Sequence, residues 1–175
     1  MTFELTLLTR ADLPFQPGET AHDTIDITSH PGTDAIADGQ TEPFDWMDLR
    51  CMHPAFEQLI AADEVVLDAG QATLVLDYPF ERPVARELHA ANGRAFSRGE
   101  LMKRIDETYR RTYRLETESQ SAPTPDVGER GQLLNRPPSD GVVGILGHDY
   151  GDLGVSSIKV YQIDGVVWLM LDMVS

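Results

Sequence analysis

The densest group of residues able to do chemistry is the run GILGHDYGDLG, from Gly144 to Gly154. It places His148, Asp149 and Asp152 among glycines that let the backbone approach a ligand closely. A histidine beside carboxylates can bind a metal or act as a base that the carboxylates orient. These three residues are therefore candidates for a catalytic or ligand-binding site. The same residue types are also ordinary in a loop between two strands, so the purely structural interpretation stays open.

A second cluster that would complete a metal or cofactor site is not found in the sequence. Cys51 and His53 form a C-x-H pair, but a thiol nucleophile needs an oriented base, which this spacing does not show. A metal site needs three or four ligands at a diagnostic spacing. The common phosphate-binding, dinucleotide, hydrolase, zinc-protease and calcium-loop motifs are also missing from the sequence. We therefore predict no metal and no cofactor.

The arginines of the run LMKRIDETYRRTYR suggest a different kind of site. Arg110 and Arg111 lie among several bases on one face of a predicted helix, and such a face could hold an anion or an acidic partner. The alternative is a solvated face that pairs with its own acids. That alternative predicts i,i+4 ion pairs, which would join Glu100 to Arg104, Asp106 to Arg110 and Glu107 to Arg111.

These candidates depend on one long helix, predicted over residues 97–116. Ser97 and Glu100 have the spacing of a capping box, in which each side chain accepts a backbone N–H at the helix start. Apolar or weakly polar residues then recur three and four positions apart, which predicts one buried stripe. Its members are Leu101, Met102, Ile105, Tyr109, Thr112 and Tyr113.

The rest of the chain predicts a sheet. Alternating or apolar runs at 64–68, 71–77, 84–90 and 141–146 are typical of strands, the first two forming a hairpin. Val155 to Ile163 and Val166 to Val174 flank Asp164-Gly165, a two-residue hairpin signal. The last strand is apolar at nearly every position, so we expect it at the centre of the sheet with both faces covered. An oligomer contact would be another way to cover it.

The predicted fold is α+β, with a mixed, mostly antiparallel sheet packed on one long helix. The element order from residue 71 onward is similar to that of the β-grasp fold, and a ferredoxin-like fold with a second helix is the alternative. We predict a single domain over residues 1–175. Within it, residues 29–42 are predicted to form an exposed acidic loop, and residues 118–141 a flexible or disordered insertion rich in proline and glycine.

Two short motifs together resemble a pattern in an uncharacterised protein family. They are F-S-R-G-E-L at the start of the helix and G-H-D-Y-G-D-L about fifty residues later. The resemblance covers less than half of the chain and implies no activity. It does imply that the loop around His148 matters.

Charge narrows the range of partners. The net charge is −15, and residues 1–50 hold ten acids and two arginines. Direct binding to a nucleic-acid backbone needs clustered bases and is disfavoured, whereas a basic protein partner suits an acidic surface. No apolar run has the length that a membrane span requires. A single cysteine and an amino-terminal stretch without the bases of an export signal favour the cytoplasm.

These observations favour a non-enzymatic, acidic protein-interaction module. The insertion would supply a docking element in which Leu133, Leu134 and Arg136 are the expected anchors, and Arg110 and Arg111 are further contact candidates. Two alternatives remain open. One is a small enzyme or a ligand- or metal-binding domain that uses the Gly144–Gly154 loop, and the other is an acidic inhibitor or decoy of a basic protein.

Overall fold

The computed structural model describes residues 4–15, 19–49, 55–130 and 135–175. The short helix α1 spans Thr33–Ala37 and the long helix α2 spans Arg98–Ser119. The strands are β1 (Thr6–Leu7), β2 (Asp23–Asp26), β3 (Met47–Asp48), β4 (Val65–Leu67), β5 (Gln71–Leu76), β6 (Val84–His89), β7 (Phe96–Ser97), β8 (Gly154–Ile163) and β9 (Val166–Val174).

Seven of these strands form one sheet in the order β1-β6-β5-β9-β8-β2, and β3 also pairs with β8. The β5–β9 pair is parallel and the other pairs are antiparallel. A second, two-stranded sheet joins β4 to β7. The predicted class is confirmed: the fold is α+β, with a mixed, mostly antiparallel sheet and one long helix.

The central elements follow the β-grasp order. The hairpin β5–β6 leads into α2, and the hairpin β8–β9 then returns the chain so that β9 lies parallel to β5. A ferredoxin-like fold would need a second full helix, and among the described residues the only α-helix besides α2 has five residues. The amino-terminal strands extend this sheet, since β1 pairs with β6 while β2 and β3 pair with β8.

The long helix has the predicted N-cap at Ser97, but Glu100 does not complete the predicted capping box. The side chain of Ser97 accepts the Glu100 backbone N–H at 3.2 Å. The Glu100 carboxylate accepts the N–H of Ala91 at 2.7 Å, which ties the preceding turn to the helix start. Its inner face, including Leu101, Ile105 and Tyr109, is fully buried against the sheet. The helix ends at Ser119, three residues beyond the predicted end.

The carboxy-terminal hairpin is also as predicted. Asp164 and Gly165 have φ values of 52° and 79°, the left-handed pair that a tight two-residue turn requires. The strand β9 lies between β5 and β8, at the centre of the sheet. The expected covering of both faces is complete on one face, where Leu169 is buried in the main core. It is incomplete on the other, where Trp168 is only partly buried and, among the described residues, Leu13, Phe15 and Ala21 pack on the sheet.

Two further strand predictions are wrong. Strand β4 does not form a hairpin with β5 but pairs with β7, while β5 lies between β6 and β9. This position buries its apolar residues 74–76. Residues 141–146 are not a strand, although Ile145 makes one isolated bridge to Phe80. The backbone N–H groups of Gly141, Val143 and Gly144 instead donate to a carboxylate of α2, described below.

The two segments predicted as loops have defined contacts. Residues 29–42 are largely exposed but contain α1, and Ser29 is buried where its backbone pairs with Phe44. In the predicted insertion 118–141, Ser121 donates its backbone N–H to Asp140 at 3.0 Å, and Val127–Glu129 forms a single 3₁₀ turn. Leu133 and Leu134, the predicted docking anchors, lie outside the described residues.

Candidate functional site: an arginine groove beside the long helix

A groove of about 870 Å³ runs along α2, between this helix and the edge of the sheet formed by β6 and β1. We call it the arginine groove because five arginines line it. The lining residues are Glu4, Thr6, Arg86, Glu87, Leu88, His89, Arg104, Glu107, Arg110, Arg111 and Arg114.

The helix side of the groove follows from the α-helical repeat. Arg104, Glu107, Arg111 and Arg114 are spaced three or four residues apart, so their side chains lie on one face. From Arg104 to Arg114 the helix rises about 15 Å at 1.5 Å per residue. The groove therefore presents an elongated row of cations and not a single point charge.

The floor of the groove is formed by Arg86 of β6. Its guanidinium donates to the Thr108 hydroxyl at 2.9 Å, which fixes it against the helix. Only 11% of its side chain is exposed. Burial lowers the pKa of Arg86, and the nearby Glu107 carboxylate opposes that shift. The guanidinium stays charged at neutral pH because its usual pKa is so high, and its charge is poorly screened by water.

One carboxylate lies between two of the groove arginines. Glu107 Oε2 is 3.5 Å from Arg86 Nη2 and 3.3 Å from Arg104 Nη1. The predicted ion pair of Glu107 with Arg111 is therefore replaced by contacts of Glu107 with Arg86 and Arg104. The other two predicted pairs are present: Arg110 Nε donates to Asp106 Oδ1 at 2.8 Å, and Arg104 Nη2 is 3.9 Å from Glu100 Oε1.

The outer rim of the groove carries two exposed arginines. Arg111 and Arg114 are exposed, and neither makes an ion pair or side-chain hydrogen bond with any residue that the structure describes. Arg110 also lines the groove, and its guanidinium lies 4.8 Å from the centre of the Tyr150 ring. At the other rim, His89 Nε2 is 2.7 Å from Glu87 Oε1.

The Gly144–Gly154 loop, the other candidate site, has the following contacts. The ring of His148 packs beside that of Tyr78, with centroids 5.4 Å apart. Asp152 accepts the Asp149 backbone N–H at 3.0 Å and so closes a single 3₁₀ turn. Among the described residues, neither carboxylate hydrogen-bonds to the His148 ring. The Asp152 carboxylate therefore shapes the turn that follows His148.

Asp149 holds the predicted insertion against this loop. Arg130 donates to its two oxygens at 2.6 and 3.0 Å, and Arg136 Nη1 lies 3.4 Å from Oδ1. The hydrogen bond from Arg130 holds the pKa of Asp149 below its usual value. Arg136 is only 8% exposed and lies over the Tyr113 ring. The side chain of Arg136 therefore makes internal contacts.

Sequence reasoning missed Arg86 as a site residue. The signal was present, because Arg86 lies between Val84 and Leu88 on the side of β6 that faces the helix. A charged residue at an inward position of a strand needs a partner or a function. Which helix face the strand would meet could not be read from the sequence.

No group of three or more histidine, cysteine or acidic residues suited to a metal occurs in the described part of the chain. Within the same residues, no helix is long and apolar enough to cross a membrane. No protein-family model matches the chain, and comparisons with curated proteins and with solved structures find no match either.

Proposed function

We propose that this protein is a non-enzymatic protein-interaction module that binds an anionic part of its partner through the arginine groove. The observation that carries the proposal is the pair Arg111 and Arg114, exposed at the rim of the groove without a partner among the described residues. A module of this kind needs complementary charge and shape but no reacting group.

The distribution of charge supports this proposal. The chain has a net charge of −15, yet five of its twelve arginines line one groove. Clustered cations in a cleft focus the field and attract anions locally, even when the whole molecule is acidic. The acidic remainder would still favour a partner that is basic elsewhere on its surface. The single cysteine suits the cytoplasm as the place of this interaction.

The test is direct binding of a fluorescently labelled oligoglutamate peptide, followed by fluorescence anisotropy at low and at physiological salt. We expect measurable affinity that weakens with salt, because the contacts are exposed ion pairs. Replacing Arg111 and Arg114 together by alanine should weaken binding by about tenfold, the equivalent of roughly 1.4 kcal/mol.

The matched control is the double variant Arg82→Ala/Arg94→Ala, which removes two exposed arginines outside the groove. It should bind the peptide within about twofold of the unaltered protein, since long-range charge effects at physiological salt are small. Equal losses in both double variants would mean that net charge alone governs binding, and the proposed groove function would be wrong.

A further inference from the structure

We infer that the ligand of the arginine groove is a short, extended acidic peptide with one carboxylate between Arg86 and Arg104 and the next ones at Arg111 and Arg114. This inference rests on the proposed function and names the partner chemistry of the same site. It assigns Glu107 as an internal competitor that holds the peptide's first position until the peptide displaces it.

The contacts of Glu107 show what the floor of the groove accepts. Its carboxylate is within 3.5 Å of Arg86 and 3.3 Å of Arg104, so two guanidinium groups converge on one oxygen. Guanidinium groups recognise carboxylates through charge-assisted hydrogen bonds, which strengthen as water is excluded. Both distances are longer than the 2.7–2.9 Å of a well-formed charge-assisted bond. A carboxylate that approaches from the groove can improve on them.

Glu107 is also free to leave this position. A third of its side chain (33%) is exposed, whereas Arg86 is largely buried and fixed by Thr108. Rotation of the glutamate toward solvent breaks two long ion-pair contacts, and the carboxylate of the incoming peptide replaces the counter-charge that the largely buried Arg86 needs. The arginines therefore form the fixed part of the site and Glu107 the movable part.

The length of the groove sets the length of the peptide. Arg104 and Arg111 are about 10 Å apart along the helix, and Arg114 is about 5 Å further on. An extended chain advances about 3.3 Å per residue, so about five residues cover the row. Side chains of an extended chain alternate between its two faces, so acidic residues at the first, third and fifth positions can face the arginine row together.

The acids around the groove favour a short ligand over a long polyanion. Glu4 and Glu87 line the rim opposite the helix, and the molecule beyond the groove is strongly acidic. A nucleic-acid strand that continues past the groove would carry its phosphates into this field, where like charges repel. A segment of about five residues keeps its charge within reach of the arginines.

The experiment measures anisotropy of a labelled peptide of sequence Glu-Ala-Glu-Ala-Glu with flanking glycines, against the unaltered protein and E107Q. Removing the competing carboxylate should tighten binding by about three- to tenfold, while a peptide with glutamine in place of each glutamate should not bind either protein. Glu42→Gln is the control, since Glu42 is exposed and lies outside the groove.

Several results would overturn the inference. If E107Q binds the peptide no more tightly than Glu42→Gln does, Glu107 does not compete for the site. If a single-stranded oligonucleotide binds better than the peptide, the ligand class is wrong. Glu107→Ala serves as a second variant should E107Q fold poorly. Oligoglutamate binding could depend on Arg111 and Arg114 and yet be the same in the unaltered protein and E107Q. That result would contradict this inference but would still agree with the proposed function.

Discussion

Gly141 donates its backbone N–H to Glu116 Oε1 at 2.8 Å, and a Cβ atom at position 141 would lie only 2.5 Å from Glu116 Cδ. The same carboxylate accepts the Ser139 hydroxyl and the N–H groups of Val143, at 2.9 Å, and Gly144, at 3.1 Å. Glu116 is fully buried. The end of α2 is therefore tied to residues 139–144 by one carboxylate that satisfies several backbone donors.

Replacing Gly141 by alanine should destabilise the protein by about 2 kcal/mol, because the added methyl group has no space beside a buried carboxylate. Urea unfolding followed by circular dichroism would measure the loss. Gly128→Ala is the control, since a Cβ there meets nothing within 4 Å. If the two variants have equal stability, the contact at Gly141 is not as tight as the structure has it.

Glu116→Gln should cost about 2–3 kcal/mol at neutral pH, because an amide turns one acceptor oxygen into a donor facing buried N–H groups. Burial raises the pKa of Glu116, but the hydrogen bonds from Ser139 and the backbone outweigh it, and the pKa lies below its usual value. The stabilisation is therefore complete above the unfolded-state pKa, about 4.3, and disappears as the pH falls through the folded-state value.

It follows that the stability difference between the unaltered protein and Glu116→Gln should be largest near neutral pH and shrink in acid. Thermal unfolding of both proteins between about pH 7 and pH 3 would measure it. A difference that stays constant across this range would show that the carboxylate charge at position 116 contributes nothing.

Asp149→Asn should release the segment that carries Arg130 and Arg136 from the loop at 148–152. The change removes the charge that Arg130 and the buried Arg136 contact, and a buried guanidinium without a counter-charge is unfavourable. Limited proteolysis should then cleave this segment several-fold faster than in the unaltered protein. Asp63→Asn changes an exposed acid and should leave the cleavage rate unchanged. Equal cleavage rates in the two variants would show that Asp149 does not hold this segment in place.

Tyr150→Phe should lower the free energy of unfolding by about 1–2 kcal/mol. The Tyr150 hydroxyl lies against the buried Asp106 carboxylate and 2.9 Å from the Leu49 carbonyl oxygen. Burial, and then Asp106, raise the pKa of Tyr150, so the phenol stays protonated and can donate. The control is Tyr78→Phe, whose hydroxyl faces Ser175 at an exposed position. Chemical denaturation should rank Tyr150→Phe as clearly the less stable of the two.

Local features were predictable because they depend on neighbouring residues. The cap at Ser97, the buried stripe of α2 and the turn at Asp164-Gly165 each follow from backbone geometry and short spacings, and the structure contains all three. The class of fold followed from the same periodicities. The function that the sequence favoured, a protein-interaction module, stays a proposal, now attached to a groove that includes the predicted Arg110 and Arg111.

Pairings between distant segments could not be predicted in the same way. Strand β4 pairs with β7, although the sequence favoured β5. Gly141, Val143 and Gly144 give their N–H groups to Glu116 instead of a strand. The arginine groove likewise needs Arg86 and Arg104 side by side, eighteen residues apart in the chain. Sequence alone determined which residues would be helical, apolar or charged. Tertiary packing decided which charges meet, because that depends on how the sheet and the helix dock.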